Sequence, residues 1–289
     1  MKFAYSTNAY TRHRLDDAIR AIAELGFTGV ELLCDRPHWF PGEVSEAEQD
    51  RIARLVADCG LGISNLNVNT ASGYYSPCPA EHLFGPSLSH PDPAQRQWRQ
   101  AYSIEAIRIA ARIGAPCVSL TSGVPTPGVA ITRSRQLLAD SLAPICEAAA
   151  QHGVRVGIEY EPGLLVERAS ELAEIIERVD SPLLGANLDI GHSFLDGESP
   201  EEAVAALAGR IWNVHVEDIA GRKHYHLVPG DGELPFDRYF SALADAGYEG
   251  YLTVELYTYP QAPDEAGARS LAFLRGTGLD APQTRVEPA

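Results

Sequence analysis

Four side chains able to hold a cation stand near the ends of four apolar runs in the second half of the chain. Arg155-Val-Gly-Ile-Glu-Tyr-Glu-Pro162 offers Glu159 and, in phase with it two residues on, Glu161. Leu184-Gly-Ala-Asn-Leu-Asp-Ile-Gly-His192 offers Asp189 and His192, and Ile211-Trp-Asn-Val-His-Val-Glu-Asp218 offers His215. Tyr251-Leu-Thr-Val-Glu-Leu-Tyr257 offers Glu255. A carboxylate inside an apolar β run is costly to bury unless it is paired or bound to a metal. Taken singly, each of these groups has an ordinary structural explanation: a carboxylate bonded to backbone amides, or a satisfied core histidine. Together, three carboxylates and one imidazole on separate strands are explained by one divalent cation. So oxygen-rich a set suits Mn2+, Mg2+ or Co2+ and is unlike a thiolate-rich zinc site. Mn2+ is the ion expected, with Mg2+, Co2+ and Zn2+ as the alternatives.

Such side chains need a scaffold that brings strand ends together. The chain alternates strands with helices: Phe3–Thr7, then Leu15–Leu25 with apolar residues at helical spacing and Gly26 as its stop. Gly29–Cys34 follows, then a helix opened by the capping sequence Ser45-Glu-Ala-Glu48. Strands at Leu61–Val68 and Cys117–Ser122 enclose a long irregular segment, 69–93, and a helix from about Ala94 to Ile113. A long loop in a compact domain reads as a functional lid, with Trp39, Phe40, Tyr74, Tyr75 and Phe84 as a candidate apolar wall. Further helices are expected near 130–152, 170–179, 199–208, 236–246 and 263–275. Eight βα units in order predict a single α/β domain, a (β/α)8 TIM barrel over residues 1–279, with 280–289 as a flexible tail; a doubly wound sheet is the alternative. On such a barrel the four donors would meet at the carboxyl ends of the fifth to eighth strands.

Composition narrows the classes. A net charge of −16 opposes a nucleic-acid surface, and no apolar run is long enough to span a membrane. Five cysteines, widely spread and without a CxxC pair, suggest neither a zinc ribbon nor a disulfide framework. With no signal-peptide pattern before the first strand, a cytoplasmic location is expected. Exposed barrel helices are compatible with a homodimer.

Asn187-Leu-Asp-Ile-Gly-His192, Asn213-Val-His-Val-Glu-Asp218, Arg222 with Pro229-Gly-Asp-Gly-Glu-Leu-Pro-Phe236, and Thr253-Val-Glu255 resemble the sugar phosphate isomerase/epimerase family. This is the xylose isomerase-like barrel group, which includes ketose 3-epimerases, hydroxypyruvate isomerases and inosose dehydratases. The motifs occur in the family's order and span nearly the whole chain. The resemblance implies Glu159, Asp189, His215 and Glu255 as metal ligands, and Glu159 and Glu255 also as the acid/base pair. It places substrate-binding roles on His192 and Arg222. The family's further substrate-contacting glutamate falls on Leu165, leaving Glu161 to take its place. The implied activity is isomerisation or epimerisation of a sugar, sugar phosphate or related polyol, by proton abstraction next to a carbonyl through an enediolate held on the cation. Loss of a β-hydroxyl from a cyclic keto-polyol such as an inosose is the alternative. An apurinic-endonuclease-like phosphodiesterase is the third reading, opposed by strand ends that read Asn-Leu-Asn-Val and Leu-Thr-Ser where that chemistry needs histidines. The partner is thus a small carbohydrate or cyclitol, not nucleic acid or membrane. On the loop after the seventh strand, Lys223 and His224 read as a solvated basic stretch; Asn67 and Ser122 are further candidate polar contacts.

Overall fold

The computed structural model of the chain describes residues 1–75 and 82–279. Its strands are β1 (Lys2–Ser6), β2 (Gly29–Leu33), β3 (Gly62–Asn67), β4 (Cys117–Thr121), β5 (Arg155–Glu159), β6 (Leu184–Asp189) and β7 (Ile211–Val216). A two-stranded insert, β8 (Asp218–Ala220) and β9 (Lys223–Leu227), precedes β10 (Tyr251–Val254). Strands β1 to β7 and β10 close in that order into a parallel barrel, β10 pairing with β1. The helices are α1 (Leu15–Leu25), α2 (Glu46–Asp58), α3 (Pro93–Ile113), α4 (Ile131–His152), α5 (Ala169–Val179), α6 (Ile190–Leu195), α7 (Pro200–Ala206), α8 (Phe236–Asp245) and α9 (Pro263–Gly276). This is the (β/α)8 barrel expected. The expected tail, 280–289, lies outside the described residues. No described helix is long and apolar enough to cross a membrane.

Local signals act where they stand in the sequence. Helix α1 buries Leu15, Ile19 and Ile22 and ends on Gly26 at φ +93, whose N–H donates to the Ala23 carbonyl. Ser45 caps α2, its Oγ accepting from Glu48 N at 3.2 Å, a contact that contributes about 1 kcal/mol. Glu48 does not return the bond; its carboxylate takes Arg51 instead.

Along each strand the pleat sends aliphatic residues out to the helices and polar ones into the barrel. On β6, Ala186 and Leu188 join the apolar core while Asn187 and Asp189 turn inward. On β7, Val214 and Val216 join it while Asn213 and His215 turn inward. Contacts between strands that do not adjoin show this interior directly. Thr253 on β10 donates to Ser64 on β3 at 3.2 Å, and His215 on β7 meets Glu31 on β2 at 2.7 Å. A ladder of Ser64, Thr253, Asn213 and Asn187 side chains therefore runs up the middle toward the site. Two elements were not foreseen. Helix α6 follows β6 at once, capped by Asp189 itself, and the loop after β7 folds into the β8–β9 hairpin.

Candidate metal centre and substrate cavity

Glu159 ends β5, Asp189 ends β6, His215 lies in β7 and Glu255 follows β10. These four strands are neighbours around the ring, and register sets Asp189 directly opposite His215. Each residue contributes one potential ligand atom, and all four atoms lie within 4.8 Å of one another, all from buried residues. His215 Nδ1 is 3.1 Å from Glu159 Oε2, 3.4 Å from Glu255 Oε2 and 3.9 Å from Asp189 Oδ2.

Each donor is held by its other end. Asn69 and Asn187 both donate to Glu159 Oε2, leaving Oε1 for a cation. Asn8 and Asn67 donate to Glu255 Oε1 at 2.8 and 2.9 Å, leaving Oε2. Asp189 Oδ1 accepts the backbone N–H groups of Gly191 and His192. Glu31 takes the Nε2 side of His215, and is itself fixed by Asn65 and Asn67. A carboxylate on the far nitrogen of a ligating imidazole fixes its orientation and raises its basicity. Asp189 Oδ2 is left fully buried with no N–H or hydroxyl donor, and what faces it is another acid, Glu217. An orphaned carboxylate oxygen facing three other donors fits a cation, so the four residues suit the divalent ion expected of them.

The electrostatics describe the same need. Burial opposes charge on His215, yet Glu255, Glu31 and Glu159 together raise its pKa well above the ordinary value, so a proton occupies the cluster. Burial likewise opposes charge on Glu159, but His215, His192 and Asn69 outweigh it and hold this carboxyl down at about 2. Glu255 goes the other way: burial, with Glu159, Glu31 and Asp189 nearby, pushes it well up against the pull of His215. One imidazolium cannot neutralise so many buried acids.

A cavity of about 490 Å3 opens over the centre, lined by Glu159, Glu255, Asn8, Asn67 and Asn69 from the barrel mouth, and by Asp35, Arg36, Phe84 and Tyr257 above. His192 and Glu161 line it, as expected of substrate contacts. Burial, with Glu159, Asp189 and Glu217 beside it, pushes Glu161 up to about 9, which makes it a neutral hydrogen-bond donor. Leu165 is packed in the core. Arg222 is not brought to the cavity: it sits at the turn of the β8–β9 hairpin at φ +53 and donates to the Leu195 carbonyl. The guanidinium at the mouth is that of Arg36, paired with Glu43. Of the five aromatic residues expected as a wall, Phe84 lines the cavity; Trp39 is in the core, and Phe40 and Tyr74 pack on Trp98. Ser122 Oγ accepts from Val166 N and shapes a loop instead. His224 is only partly exposed: with His226, from the same basic stretch, it lines the cavity next to His192. Glu31, Asn8, Asn65, Asn69, Asn187 and Glu217 were also missed; an amide or acid in an apolar strand carries no mark of which way it faces.

A closed (β/α)8 barrel with four candidate cation donors at the carboxyl ends of its strands defines the class: a barrel whose strand ends carry a candidate metal centre. The chain belongs to the xylose isomerase-like TIM barrel family, whose model matches residues 19–277. It is 26% identical over 263 residues to fructoselysine 3-epimerase of Escherichia coli O157:H7, covering 89% of this chain and 91% of that protein. It is 28% identical over 157 residues to inosose dehydratase of Bacillus thuringiensis (strain Al Hakam), covering 48% of this chain and 53% of that one. A crystal structure of a D-tagatose 3-epimerase-like protein superposes with a TM-score of 0.79 at 22% identity, covering 96% and 98% of the two chains.

Proposed function

We propose that the protein is a divalent-metal-dependent isomerase or epimerase that removes the proton next to a carbonyl of a sugar, sugar phosphate or related polyol. The observation that carries this reading is the set of four buried donors, each fixed through a second atom, that converge to within 4.8 Å of one another. When bound, the cation supplies Lewis acidity that makes the neighbouring C–H removable.

Glu159 and Glu255 are the acid–base pair. They reach the centre from β5 and β10, the two outer strands of the four, so a carbon above the middle of that arc has a carboxyl group on either side. One takes the proton from one face and the other returns a proton to the opposite face, which inverts the carbon; return at the adjacent carbon interconverts aldose and ketose. The paired asparagines on each glutamate hold one oxygen still and keep the other aimed at the substrate. His192 and Glu161 each bind a substrate hydroxyl. Leu33, Leu83, Phe84 and Tyr257 give the cavity apolar wall that limits water at the reacting carbon. The oxygen-rich donor set favours Mn2+, and four free cysteines among the described residues suit a reducing compartment such as the cytoplasm.

A second reading, dehydration of an inosose or similar cyclic keto-polyol, is favoured by the similarity to inosose dehydratase across 48% of the chain. The same proton removal, followed by departure of the β-hydroxyl, gives that outcome. The phosphodiesterase reading gains no comparable support, because β3 and β4 present Asn65, Asn67, Ser119 and Thr121 to the site in place of histidines. The test is incubation of the Mn2+-loaded protein in D2O with ketoses, 3-keto sugars, hydroxypyruvate and inososes. Metal-dependent deuterium uptake beside a carbonyl, read by NMR, is expected; water loss in place of epimer formation selects the dehydratase. A fully metal-loaded protein that exchanges no substrate proton across the panel overturns the reading.

A further inference from the structure

The wall of the cavity commits its donors to the protein's own acids. Asn67 turns its amide NH2 to Glu255 Oε1 at 2.9 Å and to Glu31 Oε1 at 3.2 Å. Asn8 donates to Glu255 Oε1 and Asn69 to Glu159 Oε2, each at 2.8 Å. Just beyond β2, Asp35 Oδ2 takes the hydroxyls of Thr70 and Ser72 at 2.6 and 2.7 Å. The guanidinium of Arg36 is paired with Glu43 and lies over the Phe40 ring. Asn8, Arg36, Asn67, Asn69, Thr70 and Ser72 all line the cavity.

What is left over accepts. A ligating carboxylate takes hydrogens, so Asn8 and Asn69 must present their amide nitrogens to it, and each is left with its carbonyl oxygen. Asn8 Oδ1 and Asn69 Oδ1 are both buried without a hydrogen-bond partner. Their backbones are held. Asn8 sits in the tight turn Thr7–Tyr10 after β1, with its N–H on Ser6 Oγ at 3.3 Å, and the Asn69 carbonyl takes Arg99 at 2.8 Å. An unpaired buried acceptor is costly, and at a cavity wall a hydrogen from a ligand relieves it. Glu161 adds a third acceptor to that wall, its Oε1 lying 3.7 Å from His224 Nδ1, beyond hydrogen-bond range. The hydroxyls of Thr11 and Tyr257, which give or take, complete it.

We propose that the site takes an uncharged, hydroxyl-rich substrate and turns away its phosphate esters, and that Asn8 and Asn69 do the selecting, each accepting a substrate hydroxyl hydrogen on Oδ1. The inference rests on the reaction proposed above for the place of the reacting carbon. Asn8 is bonded to one glutamate of the acid–base pair and Asn69 to the other, so the two carbonyl oxygens stand beside the groups that take and return the proton. A polyol brings the hydrogens these oxygens lack. A phosphate group brings acceptor oxygens and a charge of about −2, and the wall confronts it with Asp35, Glu159, Glu161 and Glu255. Barrels of this kind commonly grip phosphate after their last two strands. Here that place is given over to the β8–β9 hairpin and to α9, whose first turn carries Asp264 and Glu265. Acids in a first turn oppose an anion at the helix end.

The test is isothermal calorimetry on the Mn2+-loaded, full-length protein with the ketohexoses D-fructose and D-tagatose, with their 1- and 6-phosphates, and with each singly deoxygenated form of the tighter sugar. Each phosphate ester should bind roughly tenfold or more weakly than its parent. Removing a hydroxyl that Asn8 or Asn69 holds should cost the wild type roughly tenfold in Kd, and cost nothing further in the matching variant, Asn8→Ala or Asn69→Ala. A residue that only steadied Glu159 or Glu255 would leave that penalty intact. Circular dichroism confirms that each variant is folded, and the phosphate comparison needs no variant. A phosphate ester that binds as tightly as its parent overturns the inference, as does a deoxy penalty unchanged in both variants. Sugars that bind in the expected pattern yet exchange no proton in D2O uphold the selection and remove the reaction. Exchange that runs equally well on sugar and phosphate ester removes the selection and spares the reaction; a loaded protein that binds none of the panel overturns both.

Discussion

Glu31→Gln tests the centre through a residue that touches a ligand without being one. Glu31 lies on β2, across the barrel from β7, and its Oε2 accepts the His215 Nε2 hydrogen at 2.7 Å. Asn65 and Asn67 donate to it at 2.8 and 3.2 Å, so three donors converge on its two oxygens. Glutamine has one acceptor oxygen for those three donors and must turn its own NH2 toward one of them. The imidazole then loses the anion that orients it and raises the basicity of Nδ1. Loss of such a partner typically weakens metal binding ~10–100-fold, which is about 1.4–2.7 kcal/mol. At a free Mn2+ concentration a hundred times the wild-type Kd, binding stabilises the folded protein by about 2.7 kcal/mol, and the variant would retain about 0.4–1.4 kcal/mol. With a shift of ~2–4 °C per kcal/mol for a chain approaching this size, the Mn2+-induced rise in Tm falls from roughly 5–11 °C to roughly 1–6 °C. Scanning calorimetry with and without Mn2+ reads that difference, in which any change in the metal-free protein cancels, and isothermal titration gives Kd directly. A folded Glu31→Gln protein with wild-type Mn2+ affinity would refute the reasoning, because His215 could not then be a ligand that depends on Glu31.

Three further outcomes are expected. Glu159→Gln and Glu255→Gln should each lower kcat by ~10²–10⁴, the span of a lost general acid or base, with weakened metal binding retained; near-normal turnover in both removes the acid–base assignment. Burial notwithstanding, Glu255, Glu31 and Glu159 raise the His215 pKa, so the metal-free protein carries that proton at neutral pH and must shed it when Nδ1 becomes a ligand. Affinity should therefore rise with pH, and the calorimetric enthalpy should vary with buffer ionisation enthalpy; a buffer-independent enthalpy at pH 7 contradicts this. Arg99, 1% exposed, donates to the Val68 and Asn69 carbonyls at 2.8 Å each and so fixes the residue that holds Glu159. Arg99→Met removes the guanidinium from both carbonyls and leaves Asn69 only the long contact from Thr121 Oγ1 at 3.4 Å, at about 1–3 kcal/mol for a buried group left unpaired; an unchanged urea midpoint would show that they find other partners.

The barrel was legible because its strands are short apolar runs separated by amphipathic helices, and a ring of such units leaves few alternatives. The four donors were legible for a narrower reason: each is a charged or imidazole side chain close to the carboxyl end of such a run, where burial without a partner makes no sense. Asn65, Asn67, Asn187 and Asn213 stand in equally apolar surroundings, but an amide there costs less, and of the four only Asn67 stood out as a polar contact. Only closure of the ring sets them face to face and turns them into the brackets that hold Glu159, Glu255 and Glu31. Glu31 was hidden by distance, since nothing in the first half of the chain announces that β2 will lie opposite β7. The hairpin was the largest loss. In Lys223-His-Tyr-His226 the alternation of His224 and His226 was the one local sign of a strand with a histidine face, and a loop rich in basic residues obscured it. The same hairpin carries Arg222 to its turn and away from the cavity.

The motif Asn187-Leu-Asp-Ile-Gly-His192 is compact because one carboxylate does two mechanical tasks. Asp189 Oδ1 accepts the N–H groups of Gly191 and His192 and so starts α6 immediately after β6, while Oδ2 stays bare for the centre. Capping the helix fixes the direction in which His192, three residues on, enters the cavity, and Gly191 between them is the gap through which Glu217 approaches. Glu255 repeats the arrangement from the other side: its carboxyl group faces His215 while its backbone carbonyl fixes the ring of His226. Displacing either acid therefore moves one donor of the candidate centre and one imidazole of the cavity wall, His192 or His226, at once. The two groups of side chains are a single mechanical unit, and the loop–helix connections that look incidental in the sequence are what hold its parts in register.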